Sequence, residues 1–420
     1  MSDNNKNTSQ ICVIIGASHA GVNAAFALRK EGWKGEIILY DADPTLPYHR
    51  PPLSKAYLTS NDDIEQNAIK SAQSYIKDNI TLQLGHQVTS ITPSESCVVL
   101  KNGAQQHYDK LIIATGARPF IPPIQGLQTA KHVYPLRTAA DVTHIKSAFA
   151  EQDQKRVVVI GGGYIGLETA ASIKKLGGDV TVLEREERIL ARVTAPVMSD
   201  FFQSLHANNG VDVFTSKDVT SIKPENTHNK VICADGTEYE ADIIIVGVGI
   251  RVNLELAEAA GLHIDNGIRV DHCTQTSMDN IYAIGDCSNH YNPHYDRYIR
   301  LESVQNAVDQ AKTAAAAICG KSPVYNTIPW FWSDQYDVKL QMVGLSTGYN
   351  QIIVRHETDA TKFSVWYFQD ETLLSVDAIN NAKAYVIGTK FIKDNTKVDK
   401  TKLLDSDIEL KADNLKLDNS

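Results

Sequence analysis

Residues 11–43 and 156–186 of this 420-residue chain are two copies of one pattern. The first reads ICVIIGASHAGVNAAFALRKEGWKGEIILYDAD and the second RVVVIGGGYIGLETAASIKKLGGDVTVLERE. Each is an apolar β-branched run, a glycine turn, an alanine-rich helical stretch and a second apolar run ending in acid. That order predicts a dinucleotide-binding βαβ unit. A single copy would say little, because strand–glycine–helix turns are common. Two copies in one chain predict two dinucleotides, and two dinucleotides imply electrons passing between them.

The chemistry can be assigned position by position. In the first copy Gly16 permits the tight turn out of the strand, and Gly21 lets the helix pack close to it. The helix N-terminus then offers free N–H groups and a partial positive charge to a pyrophosphate. Asp41 comes twenty positions after Gly21, where an acid holds a ribose hydroxyl. The middle glycine is replaced by Ser18, whose side chain either crowds the phosphate or donates its hydroxyl to it. In the second copy Gly161, Gly163 and Gly166 complete G-x-G-x-x-G, with Gly162 between them. Glu184 closes the second strand, and a carboxylate there favours the ribose 2′-OH of NADH over the 2′-phosphate of NADPH. Arg185 and Arg188, just beyond, act against that preference.

Composition and charge exclude several classes. A formal charge of −9 provides no general basic field for nucleic acid. No apolar stretch approaches the length of a membrane span, and the first ten residues lack the apolar core of a signal peptide, so a cytoplasmic location is expected. Six cysteines, at 12, 97, 233, 273, 287 and 319, form no close pair, so no dithiol is ready to relay electrons. Cys12 reads as a small buried hydrophobe. Cys287, His290, His294 and Asp296 lie close in sequence but lack the paired spacing of a structural zinc site, and no metal is expected.

Beyond the repeats, Pro51 and Pro52 stiffen a segment YHRPPLSK that opens a helix near Leu53 and Ser54. Apolar runs KLIIATGARP and ADIIIVGVG end each half in glycine, and NIYAIGD precedes an alanine-rich helix. From Pro329 the texture becomes alternating, in VKLQMV, QIIVRH, FSVWYF and LLSVDAI, which predicts an antiparallel sheet. Residues 393–420 are mostly polar and read as a loosely attached tail.

The motifs IGGGYIGLE, RVTAP, IGDC, LESVQNA, PWFWSDQY, VGLS and PPLSKAYL, spread over most of the chain, carry a family resemblance. The chain resembles the FAD-dependent NADH:ferredoxin reductases of bacterial oxygenase systems. The resemblance implies an α/β fold with two Rossmann-like domains, of disulfide-reductase-like architecture, plus a C-terminal α+β domain. It divides the chain into a split FAD domain (1–117 and 248–326), an NAD domain (118–247) and a C-terminal domain with a polar tail (327–420).

Matching positions then give the site residues. The resemblance implies that Ala20, Asp41, Lys55, Val88 and Arg137 contact FAD, that Gly285 and Asp286 of the IGD motif hold the ribityl chain, and that Val304 lies at the flavin ring. Tyr164 and Ile165 join the second glycine turn as nucleotide contacts. By residue type alone Lys55 is a solvated loop lysine and Glu168 an exposed helical position. In related flavoenzymes this pair approaches the hydride-transfer face, and both are expected to be catalytic. Trp330, Phe331 and Trp332 usually mean core packing, but the resemblance places part of the block over the flavin.

The expected activity is transfer of electrons from NADH through FAD to a two-iron two-sulfur ferredoxin serving a haem-thiolate monooxygenase or a ring-hydroxylating dioxygenase. A rubredoxin reductase and an apoptosis-inducing-factor-like redox-controlled binding protein are the alternatives. An acidic ferredoxin would need a local basic patch, for which Arg297, Arg300, Lys312 and Lys339 are the candidates.

Overall fold

The computed structural model describes residues 10–417. The chain divides into two compact units. The first comprises the segment up to His49, Asp63–Arg118 and Val252–Pro329; the second comprises Arg50–Asp62, Pro119–Arg251 and the chain from Trp330 onward.

The first unit is built on a parallel sheet whose strands run, in spatial order, Ile281–Ala283, Lys110–Ile113, Ile11–Ile15, Glu36–Tyr40 and Ile80–Gln83. All but the edge strand Ile80–Gln83 are buried on both faces, which explains their continuous rather than alternating apolar runs. The His19–Glu31 helix covers one face and packs against the Val304–Ile318 helix. Alanines at 24, 25, 311, 314 and 315 are fully buried and permit the close approach of those two helices.

The second unit repeats the arrangement. Its parallel sheet runs Val133–Pro135, Ile243–Val246, Arg156–Ile160, Asp179–Leu183 and Asp212–Phe214. Register is the same in both copies: Ile15 pairs with Tyr40, and Ile160 with Leu183. The next residues along, Gly16 beside Asp41 and Gly161 beside Glu184, therefore leave their sheets side by side.

The same unit carries an antiparallel sheet ordered Trp330–Gln335, Val338–Gly344, Thr372–Ile379, Phe363–Gln369 and Gln351–His356. The Ala382–Lys393 helix lies against its central strands. Residues 394–417 are not a loose tail, and the last three residues of that reading lie outside the described residues. Short helices at Lys400–Leu404 and Ala412–Leu415 are docked, with Leu403 and Leu415 fully buried. Arg355, itself buried, donates to the carbonyls of Leu403, Asp405 and Ile408 at 3.0, 2.9 and 2.7 Å. Polar composition hid this because a few leucines and one distant arginine do the anchoring.

Candidate active site

In the first glycine turn, a Cβ on Gly16 would lie 2.3 Å from the carbonyl oxygen of Ala114, at a φ of +103°. In the second, a Cβ on Gly161 would lie 2.5 Å from that of Gly247, at +110°. Both positions accept only glycine, for one shared reason. Gly163 is different. Its φ of −81° suits any residue, and a Cβ there would meet nothing within 4 Å. Neither conformation nor packing demands glycine, so the open space before the Tyr164–Lys175 helix fits a phosphate approaching the backbone. Ser18 occupies the equivalent place, and its hydroxyl caps no N–H of its own helix.

The acids at the strand ends play one role in both copies. Asp41 accepts from the N–H groups of Ala17 and Asp43 at 2.5 and 2.8 Å. Glu184 accepts from Gly162 and Glu186 at 2.6 and 2.8 Å. Each carboxylate thus braces its own glycine turn, with lone pairs left over for a ribose hydroxyl. Arg185 is turned to Glu186, and Arg188 donates to Ser199 and to the Ala191 carbonyl, so neither guanidinium is committed to Glu184.

Other residues of the first unit converge on its glycine turn. Gly285, at φ +76°, would place a Cβ 3.0 Å from the Cβ of Ala20, which brings the Gly285–Cys287 turn onto the start of the His19–Glu31 helix. The buried Gln310 accepts from the Gly285 N–H at 2.7 Å and so holds the Asp286 turn to the Val304–Ile318 helix. Ser303 caps that helix by accepting from Asn306 at 3.1 Å, leaving Val304 half-buried in its first turn. Two helix N-termini and one carboxylate turn suit an anionic dinucleotide. Val88 is instead 6 % exposed in the core, so any part it has in binding falls to its backbone.

Lys55 and Arg137 belong to the second unit. The Arg137 carbonyl accepts from Arg50 at 2.6 Å, and its N–H donates to Asp141 at 2.9 Å. Lys55 sits between the Pro51–Ser54 turn and the Ala56–Thr59 helix, its ammonium 2.7 Å from Glu168 Oε2. Glu168 is 4 % exposed, not the exposed helical position its residue type suggests. It also accepts from the hydroxyls of Ser54 (on Oε2) and Ser333 (on Oε1), both at 2.6 Å. Residue-type reasoning missed both serines. Their signal was present in PPLSKAYL and PWFWSDQY, but nothing local links those motifs to residue 168.

At the second turn Ile165 is half-exposed, whereas Tyr164 is turned inward. The Tyr164 hydroxyl donates to Met342 Sδ at 2.9 Å, its ring lies 5.1 Å from Phe331, and burial raises its pKa well above the usual phenol value. Trp330, Phe331 and Trp332 are each half-buried, and the two tryptophan rings lie 5.6 Å apart.

Cys287, His290, His294 and Asp296 go separate ways: the Cys287 thiol faces the Ile284 carbonyl, His290 faces Gln310, His294 faces the Asn326 carbonyl, and Asp296 accepts from Tyr291. Burial pulls the pKa of His290 down to about 4. Of the candidate docking cations, Arg300 is 14 % exposed and paired with Glu302 at 2.8 Å, so it offers no free surface charge. Lys312 and Lys339 are exposed, Lys312 in an ion pair with Asp309 at 3.0 Å.

Paired dinucleotide-type turns, a lysine held by a buried glutamate and no cysteine pair among the described residues define a flavin- and nicotinamide-dependent oxidoreductase. The model of the pyridine nucleotide-disulphide oxidoreductases matches residues 11–311, and that of the reductase C-terminal domain matches residues 330–413. The chain belongs to the pyridine nucleotide-disulphide oxidoreductase family. It is 42 % identical to putidaredoxin reductase CamA of Pseudomonas putida, over 96 % of this chain and 97 % of that one. It is 40 % identical to rhodocoxin reductase of Rhodococcus erythropolis, over 95 % and 93 %. A crystal structure of the covalent putidaredoxin reductase–putidaredoxin complex superposes with a TM-score of 0.91 at 42 % identity, covering 96 % of this chain and 98 % of that one.

Proposed function

We propose that this protein passes electrons from NADH through FAD to a two-iron two-sulfur ferredoxin, which supplies a haem-thiolate monooxygenase or a ring-hydroxylating dioxygenase. The single observation carrying the catalytic part is the Lys55–Glu168 pair, whose glutamate is buried at the fifth position of the helix that begins after the Gly163 opening. The ferredoxin assignment is supported by similarity along nearly the whole chain to reductases of such systems.

FAD, when bound, supplies acceptance of two electrons from the nicotinamide and their release one at a time to the partner. Its holding residues are the first glycine turn with Ser18, Ala20 and Asp41, the Gly285–Asp286 turn and the Val304 helix start, from segments 1–117 and 248–326. NADH is held in 118–247 by the second glycine turn, with Ile165 at its mouth and Glu184 accepting from the ribose. Lys55 presents a positive charge where reduction builds negative charge, and Glu168 fixes the ammonium in place. Ser54 and Ser333 donate to two further lone pairs of Glu168, one on each carboxylate oxygen, and so offset part of the cost of its burial. Six unpaired thiols fit a reducing compartment such as the cytoplasm.

Ferredoxin-dependent NADH oxidation tests the assignment. A two-iron ferredoxin should sustain turnover well above that with a rubredoxin or with oxygen alone. Faster turnover with rubredoxin would transfer the protein to that acceptor class.

A further inference from the structure

Beyond Ser333 the hydrogen bonds do not stop. Gln335 Nε2 donates to Ser333 Oγ at 3.2 Å, Gln335 Oε1 lies 2.8 Å from His206 Nε2, and the Tyr336 hydroxyl lies 3.2 Å from His206 Nδ1. Ser333, Gln335 and His206 are each 1 % exposed or less, whereas Tyr336 is half-buried. Ser333 and Gln335 share one face of their strand with Phe331, the face turned to Tyr164 of the second-repeat helix. His206 reaches them from the Pro196–Asn208 helix.

The direction of every bond in this chain is fixed from one end. Glu168 as a carboxylate only accepts, so the Ser333 hydroxyl hydrogen is committed to it. Ser333 Oγ is left as an acceptor, and Gln335 must turn its NH2 toward it. The Gln335 oxygen then faces His206, whose Nε2 must carry the hydrogen. Nδ1 is bare and must accept from Tyr336. Burial holds His206 neutral by lowering its pKa, which keeps one ring nitrogen available as an acceptor.

We propose that Ser333, Gln335, His206 and Tyr336 form an oriented hydrogen-bond chain, all donors pointing toward Glu168, that positions and stabilises the charged Glu168–Lys55 pair. These four are positioning residues. Gln335 is an amide, so the chain conveys orientation and not protons. The proposal rests on the catalytic assignment of Lys55 and Glu168, but its primary test needs neither NADH nor ferredoxin, so the two fail separately.

The chain makes a prediction about its far end. In Glu168→Gln, the amide oxygen will face Lys55 and Ser54, because an NH2 there would meet an ammonium. Its NH2 then faces Ser333, and each bond down the chain reverses: Ser333 donates to a flipped Gln335, Gln335 donates to His206, and the imidazole hydrogen moves to Nδ1.

Nitrogen-15 histidine NMR of the purified flavoprotein reads this directly, with the His206 signals assigned by their loss in His206→Asn. The expected result is the Nε2–H tautomer in the wild type and the Nδ1–H tautomer in Glu168→Gln. In Ser333→Ala, which cuts the chain, adding Glu168→Gln should leave the tautomer unmoved. An Nδ1–H wild type, or a tautomer indifferent to residue 168, overturns the proposal. Kinetically, Ser333→Ala should slow flavin reduction by NADH about tenfold, the effect of one hydrogen bond to a charged group, with KM changed less than about twofold and Ser333→Thr restoring the rate. A loss confined to KM would also overturn it.

Discussion

The Lys55 ammonium lies 2.7 Å from Oε2 of Glu168, although the two are 113 positions apart in the chain and Glu168 is almost wholly buried. A charge pair with one buried partner is not by itself a stabilising device: desolvation offsets much of its attraction. The pair fits chemistry that needs a fixed positive charge beside a nucleotide opening. The two serine hydroxyls make that arrangement tolerable, and removing either partner leaves an uncompensated charge.

The open space at Gly163 separates stability from binding. Gly163→Ala should leave the fold intact and change stability by less than about 1 kcal/mol, because the gain from restricting the unfolded chain at φ −81° is offset by the poor N-cap preference of alanine. The same methyl group should raise the KM for NADH several-fold by meeting the pyrophosphate. Thermal unfolding without nucleotide and steady-state kinetics check the two halves. A loss of well over about 2 kcal/mol without NADH, more than a weaker N-cap explains, would show that the protein, and not the ligand, fills that space.

Glu184 carries two roles that one substitution can divide. Glu184→Gln keeps an acceptor for the Gly162 N–H but removes the charge that repels a 2′-phosphate. The wild type should prefer NADH by at least about tenfold in kcat/KM, an energy of only about 1.4 kcal/mol, and the variant should narrow that ratio. Equal use of both nucleotides by the wild type would mean that Arg185 or Arg188 overrides the acid.

Asp377 titrates with the opposite sign to an ordinary surface acid. Burial pushes its pKa up to about 7, while the Tyr367 hydroxyl donates to it at 2.5 Å and itself accepts from the Ala195 N–H at 3.0 Å. With the folded pKa above the unfolded one, its contribution to stability is full below about pH 4 and is lost as pH rises through 7. Relative to Asp377→Asn, the wild type should therefore lose stability between pH 4 and 7, by no more than about 4 kcal/mol. Chemical denaturation of both proteins across that range checks the sign. A flat difference would place the ionisation elsewhere.

Arg355 is the anchor of the C-terminal segment. Arg355→Met should free three carbonyls and expose the segment from about residue 398 to protease, with a stability loss of about 2–4 kcal/mol. Limited proteolysis with mass spectrometry would locate the first cut. A first cut outside residues 398–417 would refute the anchoring role.

What was legible in the sequence was whatever local chemistry dictates. The glycine turns, their acids and the paired strands could be located because a tight turn and a phosphate need particular residues within thirty positions. The IGD turn and the antiparallel strands after Pro329 were legible for the same reason. The environment of Glu168 was not, because Ser54 lies 114 residues before it and Ser333 lies 165 after. The docked C-terminus was misread likewise: its polar composition is real, and the arginine that holds it lies some fifty residues upstream. Arg300 was the opposite case: its partner Glu302 lies only two residues on, but proximity in sequence does not show that the two side chains pair.

Anaerobic stopped-flow reduction by NADH, comparing the wild type with Lys55→Met at matched FAD content, tests the central claim most directly. The wild-type flavin should bleach rapidly and recover when a two-iron ferredoxin is added. At that matched FAD content, Lys55→Met should bleach at least about a hundredfold more slowly, the effect of removing one preorganised charge. An unchanged bleaching rate in Lys55→Met would contradict the role given to the Lys55–Glu168 pair.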